Sequence, residues 1–179
     1  MNPKQTLLMT SLDHFFTQEN HYQQLLPVLY GKSVASLRII DWFVTNYAKD
    51  LTYTNPANDQ PFLVYDNYKS QLRAYSKRQF DPFCRRTRIT FYYTPHDKII
   101  TTVGQLNFFR WAIANGVIQY IEENIQHIDM AMKLYTKEYK TRKKKDINND
   151  DITASSSSSS SSAKRNIIKY DFNVILNFE

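Results

Sequence analysis

The stretch Arg88-Ile-Thr-Phe-Tyr-Tyr-Thr-Pro-His-Asp-Lys-Ile-Ile-Thr-Thr-Val-Gly-Gln-Leu-Asn-Phe-Phe-Arg-Trp-Ala-Ile113 changes its hydrophobic period half-way along. Ile89, Phe91 and Tyr93 alternate with Thr90 and Tyr92, the period-2 pattern of a half-buried strand, and Thr94-Pro-His-Asp97 turns the chain into Lys98 to Thr102. From Thr102 the period becomes helical. Thr102 and Gln105, three residues apart, form a capping box that opens a helix with Leu106, Phe109, Trp111 and Ile113 inward, and Asn115-Gly116 has C-cap composition. A hairpin running straight into a helix predicts an α+β fold.

Working outward, helices dominate. Leu7, Leu8, Leu12, Phe15 and Phe16 recur at helical spacing within residues 4–18. The apolar run Gln24 to Tyr30 contains Pro27, which ends or bends any helix there. Ser33 is placed to cap a largely apolar helix from Val34 to Ala48, expected to be central. Residues 55–61 (Asn-Pro-Ala-Asn-Asp-Gln-Pro) read as a loop, Phe62 to Tyr65 as a short strand, and Asp66 as the start of a helix that reaches Arg78 before Asp81-Pro82 breaks it. Tyr68, Leu72 and Tyr75 share one side of that helix. Beyond Gly116, the residues Ile118, Ile121, Ile125, Ile128, Met132, Tyr135 and Tyr139 alternate spacings of three and four, the seam of a long helix lying against another, in its own fold or in a partner.

Residues 146–165 are rich in Asn and Asp and then hold eight consecutive serines, a composition that buries too little apolar surface to order itself. Residues 166–179 alternate apolar and polar side chains and read as a strand that returns to pair with the hairpin of residues 88–102. The expected organisation is a helix-rich α+β domain over residues 1–145 with a small antiparallel sheet, a disordered linker over 146–165, and a strand over 166–179 that completes the domain. Serine phosphorylation in the linker would place negative charge beside Lys164-Arg165.

Composition narrows the chemistry. Of 179 residues, 42% are hydrophobic and 22% charged, with no apolar run of the roughly 20 residues a membrane span needs. The first residues lack the pattern of a secretory signal, so a soluble intracellular protein without membrane association is expected. A lone cysteine, Cys84, excludes an internal disulfide and a Cys-rich metal site, and three glycines leave no phosphate-cradling loop. Cations beside Cys84 would lower a thiol's pKa, but Thr90 occupies the place where a phosphatase loop needs arginine, which favours a structural cysteine beside Phe83. His14, His21, His96 and His127 share no metal-ligand spacing, Glu122-Glu123 diverge on a helix, and Glu138-Tyr-Lys140 falls in a basic helix where a nuclease would need a strand. Trp42 and Trp111, inside apolar helical patterns, read as core. No catalytic residue, metal site or cofactor is expected.

The net charge of +6 is unevenly spread. Lys69 to Arg88 carries seven basic residues against Asp81, and Lys133 to Lys145 another seven against Glu138, while the remainder of the chain is acidic on balance. Two such segments are the electrostatic footprint of a surface that meets an anion. In the first, Tyr68, Tyr75, Phe80 and Phe83 interleave with cations, the mixture that neutralises phosphates and offers rings to unpaired bases. Lys69, Arg73, Tyr75, Lys77, Arg78, Phe80, Arg85, Arg86 and Arg88 are the candidate nucleic-acid contacts, with Arg142, Lys143, Lys144 and Lys145 as a secondary basic tail. Convergence is expected because Arg73 and Lys77 share a helix side and Asp81-Pro82 turns Arg85 and Arg86 back toward it. The plainer alternative is that an arginine pairs with Asp66, Asp81 or Asp97 and staples the hairpin to the helix.

Three words in the same region, Tyr75-Ser-Lys-Arg-Gln-Phe-Asp-Pro-Phe-Cys-Arg-Arg86, Thr101-Thr-Val-Gly-Gln-Leu-Asn-Phe-Phe-Arg-Trp-Ala-Ile113 and Ser36-Leu-Arg-Ile-Ile-Asp-Trp-Phe-Val-Thr-Asn-Tyr47, resemble an uncharacterised family of nucleocytoplasmic large DNA viruses of mimivirus or phycodnavirus kind. The resemblance covers roughly residues 33–125. It implies no activity and no catalytic residue, only a context: host cytoplasm with its viral factory, or the virion, where DNA genome and mRNA are the available polyanions. The expected function is non-enzymatic binding of nucleic acid or another polyanion. The rivals are a virion structural or protein-interaction component, assembling with itself or a viral partner through the 118–139 seam, and, behind both, a metal-dependent nuclease.

Overall fold

In a computed structural model the chain is described over residues 3–18, 20–56 and 58–150, with side-chain placement as far as Arg142. Residues 1–140 form one compact unit and a second begins at Thr141.

The α+β class read from the sequence holds: helices dominate, and the strands form two separate two-stranded antiparallel sheets. Helix α1 (Pro3–Asp13) passes into a π-helical turn, His14–Gln18, and buries Leu8, Leu12 and Phe16. Helix α2 (Tyr22–Leu29) stops two residues after Pro27, whose carbonyl accepts from the backbone N–H groups of Lys32 and Ser33. Helix α3 (Leu37–Thr45) is shorter than its apolar pattern implies. Ser36, not Ser33, is the N-cap and accepts from the Ile39 backbone N–H, while Ser33 donates to Glu122 Oε1 at 2.7 Å.

Strands β1 (Thr52–Asn55) and β2 (Gln60–Leu63) pair antiparallel, with Tyr53 opposite Phe62 and the ends of the expected 55–61 loop, Asn55, Gln60 and Pro61, taken into the pairing. The sequence reading had no β1 and placed the second strand at Phe62–Tyr65; the strand instead takes in Gln60 and Pro61, and the helix expected from Asp66 already begins at Val64. Strands β3 (Ile89–Tyr92) and β4 (Lys98–Thr101) form the expected hairpin, Phe91 opposite Ile99, both buried. Its turn is held by Thr94, whose hydroxyl donates to Asp97 and accepts from the backbone N–H groups of His96 and Asp97. The strand expected over 166–179 and most of the linker lie outside the described residues. Residues 146–150 belong to a helix rather than to the linker.

Helix α5 (Val103–Ala114) takes the central place expected of the helix after Ser33. Leu106, Phe108, Phe109, Trp111 and Ala112 are all buried, and it packs on α1, on α4 (Val64–Gln79) and on α6 (Val117–Glu123). The capping box forms by halves. Thr102 accepts from the Gln105 backbone N–H, but the Gln105 side chain accepts from Thr101 Oγ1 and donates to the Pro82 carbonyl.

The seam is not one helix. It breaks at Asn124, whose side chain bonds back to the Tyr120 carbonyl, and resumes as α7 (Ile125–Asp150). Ile118, Ile121 and Ile128 are core, whereas Tyr135 and Tyr139 stand 40% and 59% exposed. Burial of such side chains, worth roughly 1.5–3 kcal/mol each, holds the first half of the seam and not the second.

Candidate functional site

Helix α4 presents its cations to water because its apolar residues are spaced for the opposite side. Tyr68 is buried, Leu72 and Tyr75 half-buried, and Lys69, Arg73 and Lys77 recur every four residues along the exposed face, with Arg78 exposed on its flank. Asp66 in the first turn and Lys77 and Arg78 in the last complement the helix dipole.

Past α4 the chain folds tightly onto α5. Asn107 donates to the Gln79 carbonyl at 2.8 Å, the Asp81 backbone N–H to the Gly104 carbonyl, and Gln105 to the Pro82 carbonyl at 2.8 Å. Gly104 permits this approach: a β-carbon there would stand 3.0 Å from the Arg78 carbonyl oxygen. The result overturns one expected contact. Phe80 is 1% exposed, its ring among Tyr68, Phe108 and Trp111 at centroid distances of 5.9, 5.3 and 5.6 Å, so it is a core residue and offers nothing to a base. Tyr75 is half-buried and stacks on it.

Arg85 pairs with Asp81, as the plainer alternative had it, but the pair closes the loop on itself and does not staple the hairpin to the helix. Its Nε and Nη2 donate to the buried Asp81 carboxylate at 3.1 and 2.9 Å, and its guanidinium lies 4.6 Å from the centre of the Phe83 ring. Asp81 also accepts from the Phe83 backbone N–H, so this carboxylate folds the loop around itself. Arg86 and Arg88 remain exposed, and Cys84 is half-buried.

Between α3, α4 and this loop lies a cleft of about 550 Å³, lined by Lys77, Arg85 and Arg86, by Tyr68, Leu72 and Phe80, and by Asp81 and Pro82. The structure therefore brings Lys77, Arg85 and Arg86 together, while Lys69 and Arg73 continue along α4. Asp41 and Thr45 of α3 line the same cleft. Burial pushes the Asp41 carboxyl above its ordinary range; Arg85 pulls it down, Asp81 pushes it up and Lys77 pulls it down. Burial likewise pushes the Tyr68 phenol up to about 12.

Asp41 and Thr45 also border a second hollow, of about 220 Å³, between α3 and α7. Arg38 and Trp42 line it from α3, and Met132, Tyr135 and Tyr139 from α7. The Trp42 and Tyr135 rings stand 6.0 Å apart, and the Trp42 indole N–H is buried without a hydrogen-bond partner. Asp41, Tyr135 and Tyr139 were not among the residues expected to form the site. The signal for Asp41 was present: it is the one acid in Leu37–Thr45, a run whose only other polar residues are Arg38 and Thr45.

Lys133, Lys137 and Lys140 are exposed, but helical spacing turns them away from Tyr135 and Tyr139. Arg142 is exposed, and Lys143, Lys144 and Lys145 continue the backbone of α7 beyond the placed side chains. Among the described residues no three His, Cys, Asp or Glu side chains gather as a metal site, and no helix is long and apolar enough to cross a membrane.

Residues 2–177 match a profile described as "Family of unknown function (DUF7197)". The chain is similar to "Uncharacterized protein L507" of Acanthamoeba polyphaga mimivirus, 39% identical over 153 residues, which cover 79% of this chain and 58% of that protein. The match therefore spans little more than half of the relative's length. No solved structure matches.

Proposed function

The chain belongs to that family of unknown function, DUF7197, and from this premise we propose that it is a non-enzymatic protein that binds nucleic acid through the basic face of α4 and the loop that follows it. One observation carries the reading: Lys77 and Arg86, nine residues apart, wall the same cleft, with Lys69 and Arg73 extending the row along α4. A folded row of exposed cations is what backbone phosphates neutralise, with release of counterions. For a chain similar to a giant-virus protein, the polyanions at hand are the viral genome and its transcripts, in the host cytoplasm or in the particle.

Salt tests it directly. Each phosphate-neutralising cation contributes close to one unit to the slope of log affinity against log salt, so Lys77→Ala with Arg86→Ala should flatten that slope by about two. Unchanged affinity and slope in the double variant would remove the reading.

A second reading rests on the exposed apolar side chains of α7, Met130 at 61%, Leu134 at 57% and Tyr139 at 59%. A protein partner or a second copy would cover them, as in a virion component. Size-exclusion chromatography in high salt separates the two, because an apolar interface persists where phosphate contacts are screened. A salt-resistant dimer that retains no nucleic acid would favour assembly.

A further inference from the structure

The two hollows share Asp41 and Thr45, one helical turn apart on α3, in their linings. They differ in chemistry. The larger carries Lys77, Arg85 and Arg86, and the smaller carries the rings of Tyr135 and Tyr139 beside Arg38. We propose that a single-stranded nucleic acid lies across α3, with phosphates at Lys77 and Arg86 over the larger hollow and an unpaired base stacked on Tyr135 or Tyr139 at the smaller one. This deepens the nucleic-acid reading above and rests on it.

Cations in one hollow and exposed rings in the other, joined through Asp41 and Thr45, define the site by elimination as well as by fit. Phosphates alone would need only the cations, and a duplex keeps the faces of its bases stacked inside, out of reach of a tyrosine. An unpaired base has a free face, and stacking on an aromatic ring is tolerant of which base it is. The rings that sequence composition offered for this task lie elsewhere: Phe80 is in the core and Tyr75 is packed against it. Tyr135 and Tyr139 remain exposed at 40% and 59%, four residues apart on one side of α7, and Trp42 backs Tyr135. Asp41 adds direction. Two carboxylates line the larger hollow: Asp81 is taken up by Arg85, which leaves Lys77 and Arg86 for phosphate, while Asp41, shared with the smaller hollow, would repel phosphate and accept from the amino group of a base edge.

The test uses the full chain with three labelled probes: single-stranded DNA of about 12 nucleotides, its duplex, and heparin, which has charge but no bases. The single strand should bind about tenfold or more tighter than the duplex. Tyr135→Ala with Tyr139→Ala should weaken the single strand about 5- to 100-fold and leave heparin unchanged, whereas the paired Tyr→Phe variant, which keeps both rings, should bind as the parent does. Tyr139 is 59% exposed and Tyr135, which meets the Trp42 ring, 40%, so the Ala pair should lose only modestly in melting temperature, and the Phe pair provides the comparison with both rings kept. Single-strand affinity unchanged in the Ala pair, or duplex bound as tightly as single strand, would overturn the stacking site; if Lys77→Ala with Arg86→Ala still loses heparin, the polyanion reading survives that failure. No binding of any of the three probes would remove both.

Discussion

The two basic segments have the same composition of charge, seven cations and one acid each, yet the fold treats them in opposite ways. Lys69–Arg88 is half helix and half loop, and its single acid, Asp81, is buried and bonded to an arginine and a backbone N–H. Lys133–Lys145 is continuous helix, and its single acid, Glu138, is exposed. Aromatic residues divide likewise: Phe80 is a core side chain, whereas Tyr139 lies on the surface. A count of charges and rings does not say which segment makes a site. What decides whether a segment's cations line a hollow is whether a chain break, here Asp81-Pro82, folds them back on the core: Lys77, Arg85 and Arg86 share a cleft, whereas the second segment lends a hollow its tyrosines and turns its lysines away.

The strongest way to break this contrast is to remove the two rings in turn. Phe80→Ala should cost about 3–5 kcal/mol, because the cavity opens among Tyr68, Phe108 and Trp111 where neighbours cannot collapse. Tyr139→Ala should stay within about 0.5 kcal/mol of the parent. Chemical denaturation of both variants measures the difference, and equal losses would mean that the distal half of α7 is packed as firmly as the loop.

Next in size is Asp81→Ala. It leaves the Phe83 backbone N–H and the Arg85 guanidinium without their acceptor, at a cost of about 1.5–3 kcal/mol, moderated because the Arg85 side chain is 66% exposed and water can take its place. The same variant frees Arg85 to meet phosphate. Affinity for polyanions should therefore rise as stability falls, an inverse relation that a melting curve and a salt titration on one sample would record.

Those two residues also mark where sequence reasoning stops. The β3–β4 hairpin, the Thr102 cap, the Gly116 turn with its φ of 68° and the buried side of α4 were legible because each depends on residues within one turn or one strand pair. The place of Phe80 was not, since it is set by Gln105 and Asn107, 23 and 28 residues beyond the carbonyls they hold. Strand β1 escaped because Thr-Tyr-Thr-Asn is too short to show a period, and the break at Asn124 because one side-chain bond to the Tyr120 carbonyl interrupts an otherwise regular spacing. Of the expected site, exposure of Lys69, Arg73, Lys77, Arg78, Arg86 and Arg88 was readable from helical spacing and loop composition. Asp41 stood out as the lone acid of α3, but that it would line the same cleft was not readable, because it comes from a different helix.

Asp41→Asn should act in the other direction. Burial raises the carboxyl above its unfolded value, so ionisation costs the folded state, an expense absent below about pH 4 and fully present once pH has risen through the folded value. The amide removes it. The variant should melt about 1–3 °C higher at neutral pH, a modest gain because Asp41 is only half-buried and Arg85 and Lys77 already offset part of the cost, and the gain should vanish as pH falls toward 4. A gain that persists undiminished in acid would assign the effect to packing.

The smallest effect compares the two ion pairs. Asp81 with Arg85 and Asp129 with Lys133 are both four residues apart, but the first closes a loop around a carboxylate only 10% exposed, and the second lies along α7 with the lysine 73% exposed and the aspartate 32%. A solvated helical pair of this spacing contributes about 0.3–0.5 kcal/mol and is screened by salt. Its orientation, acid before base, agrees with the helix dipole and keeps it from being worth nothing. Lys133→Ala should therefore lose no more than about 0.5 kcal/mol at low ionic strength, with alanine's helix propensity offsetting part of that, and should be indistinguishable from the parent at high salt. A salt-independent loss above about 1 kcal/mol in equilibrium denaturation would mean that Asp129 is held in a drier setting than its exposure indicates, and the contrast between the two segments would narrow to the loop alone.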